Sequence, residues 1–500
     1  MLRVSEQYGE PQMKKTRLSH VIMLGTLVLT GCNDDDNNSQ ATTDEEVRTL
    51  ATSHGLNGDP VGTKSIASID EPLAQLGMKL FYSKGLGGDL DSACVSCHHP
   101  IMGGGDNLSL PIGVQAEDPD LIGPGRIHSQ AKAVAANMEY DGGPTVPRNA
   151  PTTFNLGLWE KGLFHDYRVE VLDNGIRTPD SAFGTADSAA HSLSQAQAMF
   201  PVTSAEEMRS DFEKDGSNQD LRVALTERFT SQALPNTWLD EFQAAFNSTD
   251  DAQTLITYDN IASALAAYQQ SQSFVNSPWN NYVKGDNGAL SDAAKRGAKL
   301  FYSSVEDGGA ECVACHSGDF FTDESFHVLA IPQIGRGKGN GEDGSDDFGR
   351  ARETGQESDR YAFRTPSLLN IEVTGPYGHD GAYDTLADVV RHHLNPEAAI
   401  DNFDFTLGAL AQGDVQHEHA ESNTRLALQQ LQKQQADGSS KLKTVNLSEQ
   451  QIDDLVAFLE TLTDPCVKDR ECLTPWIPDT TSTGPDGLQL NGYDEAGNLL

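Results

Sequence analysis

Cys94-Val95-Ser96-Cys97-His98 and Cys312-Val313-Ala314-Cys315-His316 decide how this sequence is read. Two thiols three positions apart, with an imidazole directly after the second, suit one chemistry. The thiols add to the two vinyl groups of a haem, and the adjacent histidine reaches its iron. A redox dithiol or a zinc site needs the cysteine pair but has no use for a histidine in that place, twice. Two covalent haem c groups are therefore expected, on Cys94 and Cys97 and on Cys312 and Cys315, with His98 and His316 as proximal iron ligands.

Working outward, Gly77-Met78-Lys79-Leu80-Phe81-Tyr82-Ser83 precedes the first motif, and Gly297-Ala298-Lys299-Leu300-Phe301-Tyr302-Ser303 precedes the second. The expectation is a mainly α protein of two cytochrome c-like haem domains related by internal duplication. The first domain covers 60–286 and the second 287–475. Ser291 can cap a helix carrying Ala294, Gly297, Leu300 and Phe301 at helical spacing. Ser448 and Gln451 form a capping box ahead of Ile452, Leu455, Val456, Leu459 and Leu462 on one face, the closing helix of the second domain. Leu255 to Tyr268 reads as a helix, and Ser277-Pro278 with Gly285-Asp286 as the boundary. Gly335 to Gly355 reads as a long exposed loop, and 476–500 as an irregular tail.

The chain has 500 residues and a formal charge of −39, which repels nucleic acid and anionic lipid and favours cationic partners at low salt. Met13, a basic stretch at Lys14, Lys15 and Arg17, and the apolar run Val21 to Thr30 read as an export signal, with residues 1–31 removed. Leu29-Thr30-Gly31-Cys32 looks like a lipobox, so Cys32 is the expected lipidation site. Residues 32–59 then form an acidic polar tether, and the membrane is met only through lipid. The expected location is the periplasm, anchored to the outer or inner membrane. With Cys32 and the haem thiols assigned, Cys466 and Cys472 remain of the seven cysteines, and an exported compartment lets them pair.

The other face of each iron decides function. All eight methionines lie at or before Met208, so the second haem must find another ligand in its own domain. On a helix, His393 shares the apolar stripe of Leu386, Val389 and Val390, whereas His392 shares the face of Asp388. His393 is the preferred ligand and His392 the alternative.

Over roughly residues 70–462 these features resemble the dihaem cytochrome c peroxidase/MauG family. Phe200-Pro201-Val202-Thr203-Ser204-Ala205-Glu206-Glu207-Met208 resembles the segment carrying the distal carboxylate, which implies Glu207 as the catalytic acid/base, with Glu206 one register away. Pro147-Arg148-Asn149-Ala150-Pro151-Thr152, Arg364 to Asn370 and Thr374 to Gly381 resemble the family's calcium and C-terminal signatures. They imply calcium held by Asn149 and by the carbonyls of Thr374 and Pro376. There are departures. The family usually has methionine where this chain has His393, a bridging tryptophan where it has His165, and in some members a removable distal histidine where it has Asp141, the nearest upstream histidine being His128. Trp159 is close to His165 in sequence.

The resemblance implies reduction of hydrogen peroxide to water, with electrons from a small donor protein such as a cytochrome c or cupredoxin. A MauG-like oxidation of side chains in a partner protein and a purely electron-transferring cytochrome are the alternatives. A homodimer is compatible with the sequence.

Overall fold

The computed structural model describes residues 35–231, 236–416 and 418–500, with side chains from Thr43 onward. Contacts divide the chain between Thr43 and Asp44, and residues 44–500 form one compact unit. Six α-helices bear on the cavities or the cores around them: α1 (Asp35–Ser53), α2 (Pro72–Phe81), α3 (Tyr258–Ser271), α4 (Asp292–Tyr302), α5 (Leu386–Leu394) and α6 (Glu449–Glu460); further helices include Asn218–Thr230 and Ala420–Asp437. Sheet is scarce. β1 (Gly162–Leu163), β2 (Val169–Leu172) and β3 (Gly175–Arg177) form one small antiparallel sheet, and β4 (Phe326–Val328) pairs with β5 (Ala362–Arg364) in another.

The repeated Gly-x-Lys-Leu-Phe-Tyr segments become α2 and α4, and each glycine has the same task. A Cβ on Gly77 would lie 1.9 Å from the Ala264 carbonyl oxygen of α3, and one on Gly297 would lie 1.8 Å from that of Asp454 in α6. Only a residue without a side chain allows two helix backbones to cross this closely. The aromatic rings after each glycine then close the crossing, Phe81 against Tyr268 at 5.0 Å and Phe301 against Phe458 at 5.1 Å. Two apolar cores result, one around α2 and α3 and one around α4 and α6. The Ser291 cap and the reciprocal Ser448–Gln451 box form as the sequence predicts.

Several expectations change. The helix read from Leu255 starts at Tyr258, because Thr257 caps it by accepting from the Asn260 amide. Part of the expected tether is packed rather than solvated. From Asp44 on, α1 puts Val47 and Ala51, and then Leu56, into the second core, and Asp44 pairs with buried Lys295 at 2.9 Å. The apolar spacing Val47-Leu50-Ala51 outweighs the acidic composition around it. The segment read as a boundary buries Trp279 and Tyr282 in that same core. The 476–500 tail is irregular, yet it belongs to the first half. Lys84 N donates to Leu488 O and Leu490 N to Tyr82 O, while Leu490 and Leu500 are buried in the first core. The Gly335–Gly355 loop, expected to be exposed, is anchored by Asp347, which is buried against Arg148. The leader and Cys32 lie outside the described residues.

Candidate active site

Each Cys-x-x-Cys segment forms a single tight turn, Cys94–Ser96 and Cys312–Ala314, placed after α2 and α4 respectively. The turn brings both sulfurs and the following imidazole to one wall of a largely apolar cavity. The first cavity is lined by Cys94, Cys97 and His98 among others. The second is lined by Cys312, Cys315 and His316 among others, and is the larger of the two. Burial pushes the Cys94 and Cys312 thiols up to about 12, the opposite of what a reactive redox dithiol needs. Cys315 also lies within 4.8 Å of Asp323 and His327, but as an attachment thiol it is not available to a metal there.

The imidazoles are oriented from behind. His98 Nδ1 donates to Gly104 O at 3.1 Å, and His316 Nδ1 to Phe321 O at 3.1 Å. A carbonyl can only accept, so Nδ1 carries the proton and Nε2 keeps its lone pair, the arrangement a metal-ligating histidine requires.

Across the second cavity, His393 repeats this pattern from α5, its Nδ1 donating to Val389 O at 2.8 Å. The His316 and His393 ring centres are 6.5 Å apart. Imidazole nitrogens sit about 2 Å from a first-row metal, so two rings sharing one ion have centres roughly 6–7 Å apart. His392 points elsewhere. Its Nδ1 accepts from Tyr383 at 2.8 Å, its Nε2 donates to Leu329 O at 2.8 Å, and it is fully buried in the core.

The first cavity, which holds His98, is lined by a carboxylate instead. Ser204 opens a wide turn, Ala205–Arg209, and its hydroxyl accepts from the Glu207 amide. The turn leaves Glu207 lining the cavity, while Glu206 is held off it by Ser204 Oγ at 2.9 Å. Burial raises the Glu207 carboxyl above the usual range, against the pull of Arg168 3.6 Å away and of Lys338. His165 also lines this cavity, but its Nε2 is engaged with Asn149 O at 3.0 Å. Burial, aided by Arg148 and Arg364, pushes His165 down to about 3, so it is neutral. Asp141 is ion-paired with Arg336 at 2.8 Å, and the His128 ring packs at a tilt against Tyr140 with centres 5.1 Å apart; neither lines the cavity.

The wall between the cavities is shared. Asn149, Pro151, Thr152, His165 and Arg364 line both, whereas Trp159 lines only the second. Asn149 Nδ2 donates to the carbonyls of Leu108 and Ser109, which leaves Oδ1 as its accepting end. Thr374 and Pro376, the latter after a cis peptide bond, line the second cavity with it. Cys466 and Cys472 are joined as a disulfide, with Cα atoms 5.3 Å apart. Sequence reasoning missed Lys338, which a glycine-rich loop of the second half brings to the first cavity. It also gave Arg168 and Arg364 no role, although Arg364 opens a quoted segment and Arg168 stands three residues after His165.

The profile of the di-haem cytochrome c peroxidase family matches residues 71–288. Methylamine utilization protein MauG of Methylophilus methylotrophus is 28% identical over 65% of this chain and 75% of its own. Cytochrome c551 peroxidase of Pseudomonas aeruginosa is 27% identical over 64% of this chain and 71% of its own. Residues 71–288 thus carry the pattern of the dihaem cytochrome c peroxidase family, and the chain is similar to both MauG and the peroxidases. Its fold is found in solved structures too. A MauG-like protein associated with microbial copper homeostasis superposes with a TM-score of 0.51 at 23% identity, covering 81% of this chain and 92% of that one. The diheme peroxidase BthA of Burkholderia thailandensis superposes with a TM-score of 0.51 at 20% identity, covering 86% and 92%. By its similarity to MauG and the peroxidases the chain is a haem-peroxidase-like oxidoreductase, and haem is the cofactor that similarity implies. The residues fit that group, since each cavity offers two protonated or protonatable thiols beside an imidazole already turned to present its lone pair.

Proposed function

We propose that this protein is a peroxidase that reduces hydrogen peroxide at the first cavity and takes electrons in through the second. The observation that carries the reading is the asymmetry of the two sites. One imidazole shares the first cavity with a half-buried carboxylate, and two imidazoles lie 6.5 Å apart in the second. Cys94, Cys97 and His98 would hold one haem, and Cys312, Cys315, His316 and His393 the other. Haem held there would supply one-electron redox chemistry and, in the first cavity, a site for peroxide. Glu207 accepts a proton from the entering peroxide and returns it to the oxygen that leaves as water. Arg168 keeps the carboxylate available in its ionised form. The apolar walls exclude bulk water, and two electrons and two protons complete the conversion of one peroxide to two waters.

A small electron-donor protein, a cytochrome c or cupredoxin, is the proposed source of electrons. The matched helix crossings at Gly77 and Gly297 support an origin by internal duplication. Asn149 Oδ1 and the carbonyls of Thr374 and Pro376 are a hard, oxygen-only set that suits calcium. Export to the periplasm and lipidation at Cys32 complete the proposal, and no helix among the described residues is long and apolar enough to cross a membrane.

A second reading, MauG-like oxidation of side chains in a partner protein, draws support from His393 standing where the peroxidases usually carry methionine. An imidazole there lowers the potential of that haem and weakens its use as a simple electron inlet. Steady-state turnover of peroxide with a small reduced donor protein tests the choice. Turnover supports the peroxidase. Rapid reaction of the ferric protein with peroxide but no turnover of the donor favours protein oxidation, and no reaction at all defeats both.

A further inference from the structure

Arg364 is a buried cation without an anion. It ends β5, its amide donates to His165 O at 3.0 Å, and its guanidinium lies 3.7 Å over the Trp159 ring. Its Nε and Nη1 are buried with no hydrogen-bond partner. The anions in its neighbourhood are already engaged. Glu324 accepts from the amides of Glu160 and Lys161, and Asp166 is paired with Arg148 at 2.6 Å. The other cations at the second cavity have partners of their own, Lys441 with Asp323 at 2.9 Å and Lys443 with Glu311 at 2.7 Å. Burying a guanidinium costs free energy unless a carboxylate or several acceptors meet it, and the stacked indole face offers only part of that compensation. Arg364 also lines both cavities.

We propose that Arg364 is the receptor for a propionate carboxylate of a haem, and that its place on the shared wall lets one guanidinium set the reduction equilibrium of that haem. The planar fork matches a carboxylate at two points, and the indole beneath fixes its plane. A fixed positive charge beside a haem favours the form with the extra electron, so removing it lowers the potential. Either cavity can supply the carboxylate, and the test separates them. The inference rests on haem occupying the cavities and not on peroxide chemistry.

The experiment is a spectroelectrochemical titration of the dihaem holoprotein as wild type, R364Q and R364K, with haem content checked by mass on the same samples. In R364Q the reduction equilibrium of one haem should shift about tenfold against reduction, which is about 59 mV for one electron. R364K should recover most of that shift. A displaced couple at the six-coordinate, low-spin haem assigns the carboxylate to the second cavity, and a displaced couple at the other haem assigns it to the first. If R364Q does not accumulate, the propionate bending band in the resonance Raman spectrum of R364K is decisive, because it moves when a two-point contact becomes a point charge. Both couples and that band unmoved in protein carrying two haems overturn the proposal. Protein lacking a haem in the wild type defeats the haem reading instead.

Discussion

Replacing Glu207 by Gln isolates proton transfer from shape. The amide keeps the size and the hydrogen-bonding reach of the carboxylate but cannot take a proton and give it back. A positioned acid/base contributes about 10²–10⁴ in rate, or roughly 2.7–5.4 kcal/mol of barrier. The structure argues for no less than the lower figure. The cavity offers no other ionised carboxylate, since Glu206 is bound off it to Ser204. Arg168, 3.6 Å from Glu207, is left in the variant with Asp166 4.0 Å away as its remaining anion. Stopped-flow mixing of ferric protein with peroxide should therefore show E207Q reacting at least ~100-fold more slowly than wild type. Both haems and reduction by dithionite should be intact, and E206Q should react within about twofold of wild type. Burial raises the Glu207 carboxyl and the base form is the active one, so the wild-type rate should fall with an acid limb above the usual carboxylate range. E207Q should lack that limb. A loss in E206Q without one in E207Q would shift the assignment by one residue, and equal rates in all three proteins would refute the carboxylate mechanism.

His393→Gly should convert the second haem from low to high spin with attachment unchanged by mass, and the wild type should lack the near-infrared band of sulfur ligation. An unaltered spectrum in that variant would remove His393 as a ligand. Arg148→Met leaves Asp347 as a buried carboxylate without its cation and Asp166 with only Arg168 4.0 Å away, and should cost about 3–5 kcal/mol in urea unfolding at pH 7. Burial alone would raise both carboxyls, but Arg148 holds them well below the usual range. Their contribution to stability is therefore complete above an unfolded pKa near ~4 and is lost as the pH falls below it. In R148M burial raises these carboxyls, so that acid-side loss should vanish and the gap from wild type should narrow as the pH falls; a gap that stays constant with pH would contradict the argument.

The paired Cys-x-x-Cys-His motifs and the mainly helical character were legible because each is written in consecutive residues. Helical periodicity alone separated His393 from His392, and in the structure His393 lines the second cavity while both nitrogens of His392 are engaged in the core. What stayed hidden depended on contacts between distant segments. Acidic composition suggested a tether where three apolar residues of α1 and the turn after it dock on the second core. Glycine content suggested an exposed loop where Asp347 and Lys338 reach the first half. Arg364 gave no signal, since a guanidinium that lacks an anion is recognised only when its neighbours are known.

The packing of Leu490 and Leu500 into the first core has a consequence for biogenesis. Burying a leucine contributes roughly 1.5–3 kcal/mol, so the first half lacks a sizeable share of its stability until a segment far downstream has been made. The polypeptide around Cys94 is synthesised long before those leucines. A haem-attachment apparatus acting on the nascent chain therefore meets an unfinished and open N-terminal half, and the thiols that burial later protects are still within reach.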